Sequence, residues 1–236
     1  MTNKYKSISI FFPTYNEEAN IQKSVLQIKT IIEKIFKDYE IIIVNDGSGD
    51  KTGEISDKLS QKYPRVKVVH HNSNKGYGGA LISGFNKSIK DLIFFTDADL
   101  QFDLKEITKL LKFIDRYDVV IGYRNPRRDP FMRLVNAWGW KWLNQILFGL
   151  KVRDIDCAFK LFTKQAIKSI NIKSSGAMIS VEFLIKLENK GYRFKEVPVK
   201  HSPRKAGSPT GAKPKVIFKA FKELWLFYKR TKGKKI

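Results

Sequence analysis

Short runs of consecutive apolar residues alternate with stretches of helical spacing through the first half of the chain. Residues 7–12 form one such run, ended by Pro13. A run this short and this continuous reads as a strand buried on both faces. Beyond the loop at Thr14, Ile21, Val25, Ile28, Ile32 and Ile35 keep helical spacing. They predict a helix from about residue 17 to 36, with Asn16 as its N-cap. Strands at 40–44, 66–70, 91–96 and 118–121 then alternate with helices at 53–62, after 74–80, and at 104–116. The alternation β-α-β-α-β-α-β-α-β predicts an α/β fold, a mostly parallel sheet with helices on both faces.

Three of these strands run into polar loops: Pro13 to Glu17, Asn45 to Asp50, and Asp97 to Gln101. Open α/β sheets bind ligands at the carboxyl ends of their strands, so the loops are placed to converge on one ligand. The last loop carries Asp97 and Asp99, one residue apart where the strand 91–96 ends. Two carboxylates that close need a cation or a shifted protonation state. With the amide oxygen of Gln101 they form a hard oxygen set suited to Mg2+ or Mn2+ shared with substrate phosphates. Asp46 lies at the end of strand 40–44 beside Gly47 and Gly49. The stretch Asn74-Lys75-Gly76-Tyr77-Gly78-Gly79 opens a helix as a phosphate loop does, although its spacing matches neither nucleotide fingerprint.

The second half changes character. Phe131, Leu134, Val135, Trp138, Trp142 and Ile146 fall on one face of a helix, and Trp140, Leu143, Leu147 and Phe148 widen it. Arg133, Lys141 and Asn144 are left as a narrow polar strip. Tryptophans this dense suit a lipid interface, with a core helix or dimer contact as the other reading. Asp154 and Asp156 follow, then a strand at 158–162, a short helix to 169, a helix at 181–190 carrying Glu182, and a strand at 194–199. The basic, small-residue loop 200–211 reads as a flap over phosphate. A closing helix from 213 sets Val216, Ala220, Leu224 and Phe227, extended by Ile217, Phe221 and Tyr228, against Lys215, Lys219, Lys222, Lys229 and Arg230.

Charge sharpens that contrast. Of the formal +22 over 236 residues, residues 1–120 hold 18 Lys/Arg and 16 Asp/Glu, and residues 121–236 hold 27 and 7. The basic half is expected to face a polyanion, and an anionic membrane surface is favoured because no nucleic-acid reader motif accompanies the charge. Cys157 is the single cysteine, which excludes a disulfide framework and a cysteine zinc cluster. His70, His71 and His201 have no ligand spacing and are assigned to no metal. No signal-peptide pattern and no long apolar span are read, so the expectation is a cytoplasmic protein, peripheral on the cytoplasmic membrane face.

Pro13-Thr14-Tyr15-Asn16-Glu17, Val44-Asn45-Asp46-Gly47-Ser48, the helix start at 74–84 and Asp97-Ala98-Asp99-Leu100-Gln101 occur in an order that resembles the inverting family-2 glycosyltransferases of GT-A (Rossmann-like) fold. Gly122-Tyr123-Arg124, the run Arg153 to Phe159, and Val197-Pro198-Val199 extend the likeness over residues 7–210, closest to the dolichyl- and polyprenyl-phosphate sugar transferases. Asn45 stands where the family usually has aspartate, and Phe102-Asp103 where prolines are common. The resemblance implies a GT-A domain over 1–212, with a donor-nucleotide half at 1–121 and an acceptor half at 122–212, then a basic amphipathic tail at 213–236. It implies that Pro13, Tyr15, Glu17, Asp46 and Asp97 hold the nucleotide of a nucleotide-diphosphate sugar. Asp97, Asp99 and Gln101 would bind Mg2+ or Mn2+, and Arg124, Arg133 and Arg204 the phosphate of a polyprenyl phosphate acceptor. Asp99, Arg124, Asp154 and Asp156 are the expected catalytic residues. An ionised phosphate nucleophile needs little general base. A glycan or protein hydroxyl would need one, drawn from Asp154, Asp156 or Glu182. The reading from another class is an inactive basic module that binds lipid or nucleic acid.

Overall fold

The computed structural model describes residues 4–126, 131–176, 178–204 and 214–231, with only the backbone described at 131–133, 136, 214–219 and 231. Its strands are β1 (Ser7–Thr14), β2 (Asp38–Asn45), β3 (Val66–His70), β4 (Leu92–Thr96), β5 (Val119–Arg124), β6 (Phe159–Thr163) and β7 (Phe194–Val199). They form one sheet in the order β3-β2-β1-β4-β6-β5-β7. All neighbours are parallel except β6, which runs antiparallel to both β4 and β5. The mostly parallel sheet expected from the sequence is present. The helices are α1 (Ile21–Ile32), α2 (Thr52–Lys62), α3 (Gly76–Lys87), α4 (Ile107–Leu111), α5 (Phe131–Phe148), α6 (Lys164–Lys168), α7 (Ile179–Asn189) and α8 (Pro214–Thr231).

Every residue of β1, β4 and β6 is buried, as strands covered on both faces require, including the polar Ser7, Ser9 and Thr14 of β1 and Lys160 of β6. Phe11, Phe85, Phe95, Phe162 and Phe183 interlock across strands β1, β4 and β6 and helices α3 and α7, mostly edge to face, with centroids from 5.1 to 6.3 Å apart. Gly84 lets α3 close onto this cluster, because a Cβ there would land on the Phe11 ring.

Several local expectations are corrected. Pro13 does not end β1, which continues to Thr14. Pairing with β4 stops at Phe11, so the missing proline N–H is not needed on that side. Asn16 is not a helix cap: it holds a left-handed φ of 56° and its side chain bonds to another loop, while α1 starts at Ile21. The helix expected at 104–116 is a 3-10 turn (Leu104–Glu106) followed by the short α4, and Asp103 caps the turn through the Lys105 N–H at 3.0 Å.

Helices α5 and α8 divide the apolar surface differently from the wheel drawn on sequence. Trp140, Leu143, Leu147 and Phe148 of α5 pack on the core, as do Leu224 and Phe227 of α8. The two helices meet through Trp140–Phe221 at 5.7 Å and Phe148–Phe227 at 5.4 Å. Trp138 (68% exposed), Trp142 (57%) and Trp225 (58%) stay in solvent with Val135, Ile146, Phe221 and Leu226. Asn144, assigned to the polar strip, is instead fully buried, with its amide on the Trp140 carbonyl at 2.8 Å. Among the described residues no helix is long and apolar enough to cross a membrane.

Candidate active site

Strands β2, β1 and β4 are adjacent, so their carboxyl-end loops adjoin. The first two are tied together. Asn16 N–H donates to Ser48 Oγ at 3.0 Å, Gly49 N–H to Asn16 Oδ1 at 2.9 Å, and Glu17 N–H to Thr52 Oγ1 at 2.8 Å. Glu17 is buried between Asn20, which donates to Oε2 at 2.8 Å, and Arg204, whose guanidinium pairs with Oε1. Pro13 lies within β1, and Tyr15 is exposed at the edge of the loop.

Asp46 is buried where β2 ends. Its Oδ1 accepts the Lys75 N–H at 2.8 Å and faces His71 Nδ1 at 2.6 Å. The turn beyond it needs glycine: Gly47 has a φ of 66°, and a Cβ would sit 2.6 Å from the Ser73 carbonyl carbon.

The β4 loop presents the carboxylate pair. Tyr77 O–H donates to Asp97 Oδ1 at 3.2 Å, and the Gln101 N–H to Asp99 Oδ1 at 3.1 Å. Burial, and after it the Asp99 carboxylate, push the Asp97 carboxyl up to about 7. Leu100, between Asp99 and Gln101, adopts a left-handed φ of 60°. Gln101 donates from Nε2 to the Ser202 carbonyl at 3.1 Å and accepts the Ser202 N–H on its own carbonyl at 2.7 Å. These bonds, with the Phe102–His201 bridge, lay the segment after β7 along the β4 loop. Arg204 follows in that segment, with Nη1 3.5 Å from Asp99 Oδ2.

The donor set fits a divalent cation. Two hard carboxylates crowd without a metal, a guanidinium stands against one of them, and the Gln101 amide leaves its oxygen as the atom able to ligate. Among the described residues no three His, Cys, Asp or Glu side chains gather into a metal cage, so a bound diphosphate would have to complete the shell.

Because β6 runs antiparallel, the segment before it reaches the carboxyl end of β4, with Phe159 paired to Thr96. That segment holds Asp154 and Asp156. Asp154 grips Arg124 at the end of β5 from two sides, Oδ2 to Nε and Oδ1 to Nη2, both at 2.7 Å, and the two side chains are only 7% and 6% exposed. Asp156 is exposed. Glu182 is held by the segment before its helix and by the next turn of the helix itself: it accepts the Ser174 N–H at 2.6 Å and the Lys186 ammonium at 2.5 Å. Burial alone would raise its carboxyl, but the Lys186 and Ser174 bonds outweigh it and hold the group below its usual range. The side chain of Arg133 and residues 205–211 of the expected flap lie outside the described residues.

Two members of the site were missed in the sequence. Lys160 sits fully buried in β6 with its ammonium on the carbonyls of Ile155 (2.9 Å) and Cys157, anchoring the segment that carries Asp154 and Asp156. A lysine inside an otherwise apolar strand was the available signal. Burial lowers the Lys160 ammonium and pushes the Cys157 thiol up to about 12, which leaves the thiol inert. His71 has no metal-ligand spacing, and its partner Asp46 lies 25 residues away along the chain, a separation that carries no sequence signal.

Residues 9–170 match the family described as Glycosyl transferase family 2. The chain belongs to that family. Among relatives of this glycosyltransferase, the dolichol-phosphate mannosyltransferase of Pyrococcus furiosus is 32% identical over 94% of this chain and 64% of its own length. The polyprenol monophosphomannose synthase of Mycolicibacterium smegmatis is 28% identical over 84% of this chain and 78% of its own. The first three relatives are spanned over 64%, 33% and 61% of their lengths, so the chain matches only part of each. Among solved structures, glucosyl-3-phosphoglycerate synthase from Mycobacterium tuberculosis, in complex with Mn2+ and UDP-glucose, superposes with a TM-score of 0.71 at 16% identity, over 95% of this chain and 79% of that one. These folds are GT-A glycosyltransferases, as the order of motifs implied.

Proposed function

We propose that this glycosyltransferase moves a sugar, with inversion, from a nucleotide-diphosphate sugar to a polyprenyl phosphate at an anionic membrane surface. One observation carries the choice of acceptor. Two of the three carboxylates available as a general base are already held in ion pairs, Asp154 by Arg124 and Glu182 by Lys186. A hydroxyl acceptor needs a base free to take its proton. A phosphate monoester, with a second pKa of about 6, is already ionised near neutral pH. The family relatives named for dolichol- and polyprenol-linked products point the same way.

In this reading Pro13, Tyr15, Glu17 and Asp46 hold the nucleoside, and Asp97, Asp99 and Gln101 hold Mg2+ or Mn2+. Bound there, the ion would stabilise the departing diphosphate as a Lewis acid. Arg124, Arg133 and Arg204 are assigned to the acceptor phosphate, where guanidinium forks suit phosphate oxygens. Asp154 orients Arg124, and Asp156 is the remaining carboxylate at the acceptor edge. The donor-binding half is assigned to 1–121, the acceptor half to 122–212 and the membrane element to 213–236, joined by the exposed face of α5. Trp138, Trp142 and Trp225 with the basic side chains of α8 suit the boundary between headgroups and acyl chains.

The test is to incubate the purified chain and Mn2+ with labelled nucleotide sugars and vesicles containing polyprenyl phosphate. Labelled lipid is the expected product, formed faster on anionic than on neutral vesicles. Transfer to a sugar hydroxyl but never to the lipid phosphate would overturn the acceptor assignment.

A further inference from the structure

Ser83, His71 and Asp46 form a continuous relay from the middle of α3 to the end of β2, with His71 and Asp46 buried and Ser83 half-buried. His71 Nε2 lies 2.8 Å from Ser83 Oγ, and His71 Nδ1 lies 2.6 Å from Asp46 Oδ1. The His71 N–H is itself fixed on the Asn45 carbonyl at 2.9 Å. An ionised carboxylate only accepts, so Nδ1 must carry a proton; in the neutral imidazole Nε2 then accepts from the Ser83 hydroxyl. The same order of groups activates the serine of hydrolases. Here Ser83 sits inside a helix whose N–H groups are engaged in the helical ladder, which leaves none to receive an oxyanion. The relay therefore acts at its other end.

At that end the bonds from His71 and from the Lys75 N–H both fall on Oδ1 of Asp46. Oδ2 is left as the atom that can meet a ligand. We propose that His71, oriented by Ser83, is a positioning residue for the donor base: it fixes the Asp46 carboxylate so that Oδ2 accepts an N–H from the base's pairing edge. The proposal rests on the assignment of Asp46 to the nucleoside under the proposed function. It selects bases that offer such an N–H, as uracil and guanine do and adenine and cytosine do not at the pairing ring nitrogen.

The probes are UDP and GDP, each with Mn2+, and inorganic pyrophosphate with Mn2+, titrated calorimetrically. His71→Ala is expected to weaken the preferred nucleotide about tenfold, the size of one charge-assisted hydrogen bond, and to leave pyrophosphate unchanged. In turnover the donor KM rises by a similar factor while kcat moves less than about threefold. His71→Asn, whose amide N–H can reach Asp46, recovers most of the loss. Ser83→Ala weakens the nucleotide about two- to threefold and carries the test if His71→Ala does not fold. A loss shared equally by nucleotide and pyrophosphate, or no rescue by asparagine, overturns the proposal. If Asp46→Ala loses nucleotide affinity while the His71 and Ser83 variants keep it, His71 is not a positioning residue and the reading of Asp46 stands. If Asp46→Ala also binds normally, the assignment of Asp46 itself fails.

Discussion

The proposed role of Asp97 as a ligand predicts that acid releases the cation over the range in which its carboxyl takes up a proton. Its carboxyl lies at about 7 against an ordinary value of 3.8, because it is half-buried and faces Asp99. A cation can use the group only after the proton leaves, so below pH 7 each unit should cost about tenfold in apparent Mn2+ affinity. Between pH 8 and pH 5.5 the expected loss is about 30-fold. The same shift fixes a stability trend in the metal-free protein. The folded state holds this proton more tightly than the unfolded one, so its contribution is complete below pH 3.8 and is lost as pH rises through 7. The ceiling is about 4 kcal/mol, from about three pKa units at 1.36 kcal/mol each, lowered by water reaching the group. Mn2+ titration by electron paramagnetic resonance from pH 5.5 to 8 measures the first effect. Urea unfolding of wild type and Asp97→Asn, without metal, isolates the second as the difference between their pH profiles. An Mn2+ affinity flat within about twofold over that range, or identical unfolding profiles for the two proteins, would refute the reasoning.

Other expectations follow from single contacts. Arg204 stands 3.5 Å from Asp99 and pairs with Glu17, so Arg204→Ala should bind Mn2+ alone about three- to tenfold more tightly while transferring sugar more slowly; an unchanged or weaker Mn2+ affinity in the same titration contradicts it. Asp154→Ala strands the buried Arg124 and should cost about 3–5 kcal/mol in urea unfolding, much of it recovered when Arg124→Met is added. Gly84→Ala drives a methyl into the Phe11 ring and should destabilise the fold by about 1–3 kcal/mol, with the Mn2+ affinity kept.

The parallel half of the sheet was legible because its strands are short, largely apolar runs and its helices are periodic, and β3 and β7 fall where the pattern put them. Strand order was not, since periodicity says nothing about which edge receives the next strand; the insertion of β6 between β4 and β5 appears only in three dimensions. The convergence of three strand-end loops was readable from their polar character. Their cross-bracing was not: Asn16 has the composition of a cap but bonds across 33 residues to Gly49. The α5 wheel identified an apolar helix yet could not say which flank meets the core, because tryptophan and leucine occur on both. Lys160 and His71 escaped for a common reason. Each acts through a partner brought to it by the fold, and neither has a motif of its own.

The reversed strand β6 has a kinetic consequence. It is hydrogen-bonded to β4 on one side and to β5 on the other, so the ladder crosses without a seam from the strands that end at the carboxylate pair to the strand that ends at Arg124. A clamshell hinge between the two ends would have to break that ladder, and amide exchange should report these three strands as one slowly opening unit. Any closing movement during turnover would then have to come from the loops at the carboxyl ends of the strands rather than from a bend in the sheet.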